Sequence, residues 1–334
     1  MNLRTVSFIV LILILIGGAG YYLWAYTLET IIPEEKVFTI GVVTNPPSLD
    51  PAWHGFEQGM KARGYIEGKN VRYIVESSGK DVSSAKKVIE NMIEKDVDAF
   101  YVMGSLAGKT VKEITAEKKP TLPVVFGVIS DPVGAKLVAS LQNSGNNFTG
   151  VTPINEIIVS KRLEVLLEMI PSIKRIIFVW FDPNTSGIEN LRKATKTLEI
   201  ELVEKRVKDT SELMAFFNSY FFKPGDAILR ATDSVSGLAL KDIIAFALEK
   251  KIPLSGTNIN DVELGGLMSY GANYFKIGEQ AARLMDSVLK GAKPADLPIE
   301  LAEEFEFVIN AKTADTLNLT IPPASLNKAN RIIR

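Results

Sequence analysis

The chain has 334 residues, of which 46% are hydrophobic and 23% are charged, and its 38 basic and 39 acidic residues leave a formal net charge of −1. A nucleic-acid-binding protein usually carries an excess of basic residues, and this chain has no such excess. There is no cysteine, and His54 is the single histidine. Zinc and iron–sulfur sites built from clustered Cys and His are therefore excluded, as is any Ser–His catalytic triad that does not use His54.

The amino terminus carries a long apolar segment. No charged residue occurs from Val6 to Leu28, and an α-helix needs ~20 apolar residues to cross the hydrocarbon core of a membrane. Arg4 precedes the segment and acidic residues follow it, so the positive-inside tendency places the rest of the chain outside the cytoplasm. We expect residues 1–30 to form a retained single-pass anchor in the cell membrane. The alternative is a cleaved signal peptide, for which Gly17–Gly20 is a weak cleavage site.

Short apolar runs that favour β-strands alternate with amphipathic helical segments along the rest of the chain. The predicted strands are Phe38–Val43, Val71–Val75, Ala99–Met103, Val124–Ile129, Arg175–Trp180, Glu201–Val207, Ala227–Ala231 and Leu267–Tyr270. The predicted helices are Ala52–Arg63, Val82–Lys95, Ala107–Lys118, Ile157–Ile170, Gly187–Leu198, Ser211–Phe222, Ser236–Lys250 and 273–290. This alternation predicts parallel sheets covered by helices on both faces. The elements form two sets that divide near Gly145–Thr152. The sequence therefore predicts an α/β protein with two doubly wound, Rossmann-like lobes and a ligand cleft between them.

The turns after the predicted strands contain the candidate binding residues, because ligands of doubly wound sheets bind beyond the carboxyl ends of the strands. Small hydroxyl residues and aspartates dominate these turns, and such residues commonly cap helix N-termini. A helix N-terminus also offers N–H groups and the positive end of its dipole to an anion. The candidate ligand-binding residues are Asn45, Ser48, Asp50, Gly104, Ser105, Ser130, Asp131, Thr185, Ser186, Thr232, Asp233, Ser234, Thr257 and Tyr270. Aromatic residues that could line the same cleft are Trp53, Phe181, Tyr270 and Tyr274.

The same residues do not form a catalytic pattern. Acid–base catalysis needs two groups at a fixed distance around a reacting bond, and the sequence does not pair Asp50, Asp131 or Asp233 in this way. His54 lies in a predicted helix, where a lone histidine is typical of a surface or cleft-lining residue. The chain has no G-x-S-x-G motif, no P-loop and no G-x-G-x-x-G motif after a strand. We therefore expect no enzymatic activity, no metal and no cofactor.

Several segments in a fixed order carry a resemblance to a known family. They include Arg63-Gly-Tyr-Ile-Glu-Gly-Lys-Asn70, Ser130-Asp-Pro-Val-Gly-Ala135, Gly265-Gly-Leu-Met-Ser-Tyr-Gly271, Gly291-Ala-Lys-Pro-Ala-Asp-Leu-Pro298 and Phe307-Val-Ile-Asn-Ala-Lys-Thr-Ala314. Over residues 37 to about 330, the sequence resembles the TrpX-like substrate-binding proteins of ABC transporters, which have the type I periplasmic-binding-protein fold. The resemblance implies three crossings between the lobes. It places residues 37–150 and 273–296 in lobe one, and residues 152–271 and 300–334 in lobe two.

The resemblance also implies a small ligand, which for some members is tryptophan or another aromatic amino acid, although ligands across the family are diverse. We expect an aromatic or aliphatic amino acid here. For an amino acid, we expect the carboxylate to meet hydroxyl and N–H groups around Ser105 and Ser130. The ammonium group would then meet Asp233 or Asp131, because charge-assisted contacts are strong in a desolvated cleft. The expected function is delivery of the ligand to an ABC permease by closure of the two lobes. The alternative is a membrane-tethered sensor of the same fold that reports to a signalling partner.

Overall fold

The computed structural model describes residues 13–24, 36–44, 47–79, 81–181 and 187–334. Residues Thr39–Arg334 form one compact unit, and the described part of Met1–Phe38 belongs to a second unit. Residues 13–24 are helical, and their large apolar side chains are exposed. Among the described residues, no helix combines the length and the apolar character that a membrane crossing requires. The predicted membrane-spanning helix is therefore not confirmed, and the rest of Val6–Leu28 lies outside the described residues.

The first sheet has six strands and forms the centre of lobe one. Its strands are β1 (Phe38–Thr44), β2 (Val71–Ser77), β3 (Ala99–Met103), β4 (Val124–Gly127), β5 (Phe148–Thr152) and the short β11 (Glu300–Leu301). Their order is β11-β5-β4-β3-β1-β2. The pairings of β1 with β3, β3 with β4, β4 with β5 and β5 with β11 are parallel. Every residue of β3 and β4 is buried, as expected for apolar strands that are covered on both faces.

Four helices cover the first sheet. Three of them follow its strands in sequence: α1 (Asp50–Ala62), α2 (Val82–Glu94) and α3 (Ser105–Lys118). The fourth, α10 (Tyr274–Leu289), comes from the second half of the chain and packs against β4, β5 and α1. Helices α1 and α10 meet at backbone contact, because a Cβ atom on Gly278 would lie only 2.1 Å from the carbonyl oxygen of Ala52.

The second sheet has seven strands and forms the centre of lobe two. Its strands are β6 (Arg175–Trp180), β7 (Glu201–Arg206), β8 (Asp226–Leu229), β9 (Leu254–Gly256), β10 (Met268–Ala272), β12 (Phe305–Asn310) and β13 (Arg331–Ile333). Their order is β13-β12-β10-β9-β8-β6-β7, with β10 and β12 antiparallel and the other pairs parallel. The remaining helices belong to this half of the chain: α4 (Asn155–Met169), α5 (Ile188–Thr197), α6 (Thr210–Ser219), α7 (Ser234–Leu238), α8 (Leu240–Glu249), α9 (Ile259–Glu263), α11 (Ala311–Thr316) and α12 (Pro323–Lys328).

The chain passes between the two sheets three times: from β5 to α4, from β10 to α10, and from β11 to β12. The predicted α/β fold with two lobes is confirmed by the two sheets. The lobe boundaries given above stay predictions, since residues Thr39–Arg334 form a single compact unit.

Several predicted elements end at other residues than expected. The strand predicted over Val124–Ile129 ends at Gly127, because Val128 has a positive φ of 55° that breaks the extended backbone. The single helix predicted over Ser236–Lys250 is instead the pair α7 and α8, which meet at Ala239. The sequence patterns do not predict five strands: β5, β9, β11, β12 and β13. Strands β9, β11 and β13 have only two or three residues, a charged residue interrupts β12, and β5 lies within the segment 145–152 where the two sets of elements divide.

Candidate ligand-binding site

A cleft of about 800 Å³ lies between lobe one and lobe two, beyond the carboxyl ends of the strands of both sheets. Eight of the candidate residues line it. Ser48, Gly104, Ser105 and Ser130 come from lobe one, and Thr232, Asp233, Ser234 and Thr257 come from lobe two. The turns after the strands of two separate sheets therefore converge on one cavity, as the position of ligands in doubly wound sheets requires.

Three other described candidates do not line this cleft. Asp50 is exposed at the start of α1. The carboxylate of Asp131 accepts a hydrogen bond from the Gly134 N–H at 2.7 Å, within its own turn. Tyr270 packs against the hydrophobic core of lobe two. Asn45, Thr185 and Ser186 lie outside the described residues.

Two of the four aromatic candidates, Phe181 and Tyr274, line the cleft. Trp53 is instead packed edge-on against Tyr73, with 5.2 Å between the ring centroids. Other apolar side chains of the cleft wall are Leu49, Val82, Leu106, Val128, Val235 and Leu238. The cleft therefore combines polar turns with an apolar surface large enough to contact a hydrophobic ligand group.

The lobe-one wall contains the N-terminus of α3. Gly104 precedes the helix with φ 86° and ψ 151°, a conformation that L side chains rarely adopt. The first hydrogen bond within the helix runs from the Gly108 N–H to the Gly104 carbonyl at 3.0 Å. The N–H groups of the residues between them have no acceptor within the helix. Since Gly104, Ser105 and Leu106 line the cleft, the positive end of α3 faces the cavity and is suited to an anion.

The lobe-two wall contains Asp233, which is 5% exposed. One carboxylate oxygen accepts a hydrogen bond from the Phe181 N–H at 2.7 Å, and the other accepts one from the Ser236 N–H at 2.9 Å. These contacts cap α7 and fix the side chain at the cleft surface. The negative charge of Asp233 is thereby held at the cleft, where it can attract a cationic group of a ligand.

An ion pair below the lobe-two wall was not identified from the sequence. Arg230 and Asp261 are 4% and 0% exposed, and the Arg230 Nε donates to Asp261 Oδ2 at 2.9 Å. The other guanidinium donors of Arg230 bond to Asp261, Ala231, Ser236 and Thr257. Arg230 lines the cleft, but its donors are used within the protein. Its charge within the otherwise apolar predicted strand Ala227–Ala231 is the sequence signal that could have identified it.

Thr257 is held by the same ion pair. Its hydroxyl donates to Asp261 Oδ2 at 3.1 Å and accepts from Arg230 Nη2 and from Asn258 Nδ2. A hydroxyl group has one donor and two acceptor positions, so this hydroxyl has none left for a ligand. Thr257 shapes the cleft wall rather than binding through its side-chain oxygen.

The charges of the described lining residues balance. The cations are Lys109, Arg206, Lys208 and Arg230, and the anions are Asp81, Asp209, Asp233 and Asp242. The pKa of the Asp81 carboxyl is held below its usual value, mainly by a hydrogen bond from the Ser84 N–H. Among the described residues, no group of three or more histidine, aspartate or glutamate side chains is placed to hold a metal ion. Because Arg230 is neutralised by Asp261, the remaining lining residues present three cations and four anions to the cleft.

Two α/β lobes that enclose a polar cleft are typical of a solute-binding protein. The family model described as ABC transporter substrate binding protein matches residues 37–333. The chain therefore belongs to the ABC transporter substrate-binding protein family. Its members and structural relatives bind solutes and are not enzymes, which confirms the expectation that the protein is not an enzyme.

Similar proteins include examples with amino-acid ligands. A tyrosine-binding protein of Clostridioides difficile (strain R20291) is 26% identical over 292 residues, covering 86% of this chain and 82% of that protein. The solved ABC domain from Streptococcus pneumonia in complex with L-Trp is 25% identical, has a TM-score of 0.78, and is matched over 89% of this chain and 100% of that one. A conserved domain protein from Vibrio cholerae O1 biovar eltor is 27% identical with a TM-score of 0.79, over 89% of this chain and 99% of that one.

Proposed function

We propose that this substrate-binding protein binds an amino acid with an aromatic or aliphatic side chain and delivers it to an ABC permease. The observation that carries the proposal is the cleft between the lobes, which has a helix N-terminus on one wall and an aspartate on the other. Its volume of about 800 Å³ lies within the range of ~300–1,000 Å³ that is usual for small-molecule sites. The tyrosine-binding and L-Trp-bound relatives support an amino acid as the ligand.

The two polar walls suggest how the ligand is oriented. The ligand carboxylate would lie at the N-terminus of α3, near Ser105 and Ser130, where helix N–H groups and hydroxyls can donate to it. The ammonium group would meet Asp233 on lobe two. Asp233 is preferred over Asp131, because Asp131 does not line the cleft. Thr232, Ser234 and Ser48 would complete the polar contacts.

The ligand side chain would contact the apolar part of the cleft. Phe181 lines it from lobe two and Tyr274 from lobe one. Both rings can stack on an aromatic side chain or pack against an aliphatic one. The ligand would therefore touch both lobes, and it would stabilise the closed arrangement in proportion to its extra contacts there. The closed form is the state we propose to be recognised by the permease.

We also propose that the N-terminal segment anchors the protein in the cell membrane, with the cleft outside the cytoplasm. The uncharged run from Val6 to Leu28 supports this, as does the exposure of the apolar side chains over the helical residues 13–24. A variant that lacks residues 1–30 should no longer be found in the membrane fraction when cells are fractionated. An unchanged distribution would contradict the anchor. In the described residues we find no observation that favours the sensor alternative.

A thermal-shift screen of the full chain in mild detergent tests the ligand class. The panel is the amino acids, nucleosides, sugars and small organic acids. A ligand present at about 100 times its Kd adds ~2.7 kcal/mol to the free energy of unfolding, which raises the midpoint measurably. We expect the largest rise with an aromatic or aliphatic amino acid. A rise with a sugar or nucleoside and with no amino acid would contradict the proposal.

A further inference from the structure

Arg162 is the largest of the fully buried side chains in the described structure, and it does not line the cleft. It lies on α4, the helix that begins directly after the first passage between the sheets. Its guanidinium group reaches the carboxyl ends of two neighbouring strands of lobe two. Nη2 donates to the carbonyl oxygen of Arg230 at 2.6 Å, and Nη1 donates to that of Gly256 at 3.4 Å.

These two carbonyls lie where the pairing of β8 with β9 ends. The strands pair through Ile228 with Leu254 and Leu229 with Ser255. The last hydrogen bond between them runs from the Arg230 N–H to the Ser255 carbonyl at 3.0 Å. Beyond this point the strands separate into turns. Arg162 therefore joins the two strand ends where the sheet no longer does.

The turns that begin at these strand ends carry the cleft residues. Thr232 and Asp233 follow Arg230, and Thr257 follows Gly256 directly. We propose that Arg162 is a positioning residue for the ligand, because it holds these two turns at a fixed separation from below the cleft. This inference rests on the proposed function, in which Asp233 and its neighbours contact an amino acid.

Arg162 carries a charged guanidinium group, which filling space in a hydrophobic core does not require. Its Nε has no hydrogen-bond partner among the described residues, and the nearby Asp261 is already paired with Arg230. Burial, and next the charge of Arg230, lower the pKa of Arg162 to about 9. A buried charge is costly, and an apolar residue of similar volume is often tolerated as well or better. The group that an apolar residue cannot replace here is the pair of N–H donors that bridges the two carbonyls.

The opposite end of β8 provides a matched control. Arg175 starts β6 and pairs with Asp226 at the start of β8, with Nε to Oδ1 at 2.6 Å and Nη2 to Oδ2 at 2.7 Å. Neither residue lines the cleft. Arg175→Met should therefore weaken lobe two without moving the binding turns.

The experiment compares Arg162→Met, Arg162→Lys and Arg175→Met with the wild-type full chain. Hydrogen exchange measured by mass spectrometry reports on segments 228–236 and 254–261 without ligand, and calorimetric titration gives Kd for L-tyrosine and L-tryptophan. We expect Arg162→Met to speed exchange in both segments and to raise Kd at least about tenfold, the effect of losing roughly one hydrogen bond. Arg162→Lys should lose less, because an ammonium group can donate to both carbonyls. Arg175→Met should lower Tm and leave Kd unchanged.

Two results would overturn the inference. One is a lower Tm for Arg162→Met with unchanged Kd and unchanged exchange in both segments, which would make Arg162 a structural residue only. The other, should the Met variant not fold, is faster exchange of both segments in Arg162→Lys with wild-type Kd, which would show that the separation of the two turns does not affect binding. If the wild type binds neither probe, tyrosine and tryptophan are not its ligands, and the exchange measurement alone then decides whether Arg162 holds the turns.

Discussion

Asp233 offers a test in which ligand affinity and fold stability change by different amounts. Its two carboxylate oxygens accept hydrogen bonds from the Phe181 and Ser236 N–H groups. Asp233→Ala removes both acceptors and the charge. Asp233→Asn removes the charge but keeps one acceptor oxygen. The pair of variants therefore distinguishes the charge of the side chain from its hydrogen bonds.

The magnitudes follow from these contacts. Loss of the cap on the Ser236 N–H costs ~1 kcal/mol. Loss of the acceptor for the Phe181 N–H, next to a side chain that is 5% exposed, costs ~1–3 kcal/mol. The free energy of unfolding of Asp233→Ala should thus fall by ~2–4 kcal/mol, and that of Asp233→Asn by about half as much. Both variants lose the charged partner of the ligand ammonium, which typically costs ~2–5 kcal/mol in binding, or at least ~30-fold in Kd.

Urea denaturation measures the stability term, and calorimetric titration with L-tyrosine and L-tryptophan measures the affinity. The reasoning predicts similar losses of affinity for the two variants but unequal losses of stability. Wild-type affinity in Asp233→Asn would refute the assignment of the ammonium group to Asp233. Wild-type stability in Asp233→Ala would refute the role of the two hydrogen bonds.

Three further predictions concern the helix contacts, the α3 N-terminus and pH. Gly278→Ala should lower the free energy of unfolding by ~1–3 kcal/mol, because the added Cβ would lie 2.1 Å from the Ala52 carbonyl oxygen, and thermal unfolding measures this loss. Gly104→Ala should cost ~1–3 kcal/mol of stability through its positive φ and also raise Kd, because Gly104 sets the direction of α3 at the cleft. Burial, and next the hydrogen bond to Asp286, raise the pKa of Tyr65 from 10.0 to about 12. The folded state keeps this proton more tightly, so the stability it contributes below pH 10 is lost as pH rises towards about 12. Tyr65→Phe should reduce the slope of unfolding free energy against pH in that window, as measured by urea denaturation.

Each of these predictions has a clear contrary result. Wild-type stability of Gly278→Ala would mean that α1 and α10 can separate freely. A Gly104→Ala variant with lowered stability and unchanged Kd would remove the α3 N-terminus from the binding site. An identical alkaline slope for Tyr65→Phe and the wild type would show that the Tyr65 proton does not contribute to stability.

The architecture could be predicted from the sequence because the spacing of apolar residues differs clearly between the strands and the helices. The run Arg175–Trp180 is apolar at nearly every position, as a strand covered on both faces must be, and it is found as β6 without a change of bounds. The strand β12 was missed, since Glu306 interrupts its apolar residues and β12 pairs antiparallel with β10. Its position depends on contacts between distant segments, which local periodicity does not contain.

The candidate site was predictable only in outline, for a related reason. The rule that ligands bind after the strands identifies Ser105, Ser130 and Asp233, all of which line the cleft. It cannot tell that Asp131 bonds within its own turn, because Asp131 follows its strand just as Asp233 does. The same rule cannot find Arg162, because this residue lies on a helix and contacts the strand ends from there. Its position in the sequence is typical of any charged residue in a helix.

A crystal structure of the protein with the amino acid that raises its Tm most would test the central claim most directly. The account predicts that the ligand lies in the cleft between the lobes and contacts both of them. Its carboxylate should lie within hydrogen-bond distance of the α3 N-terminus and Ser130, and its ammonium group within hydrogen-bond distance of Asp233. A ligand bound outside the cleft, or one whose carboxylate faces Asp233, would contradict it.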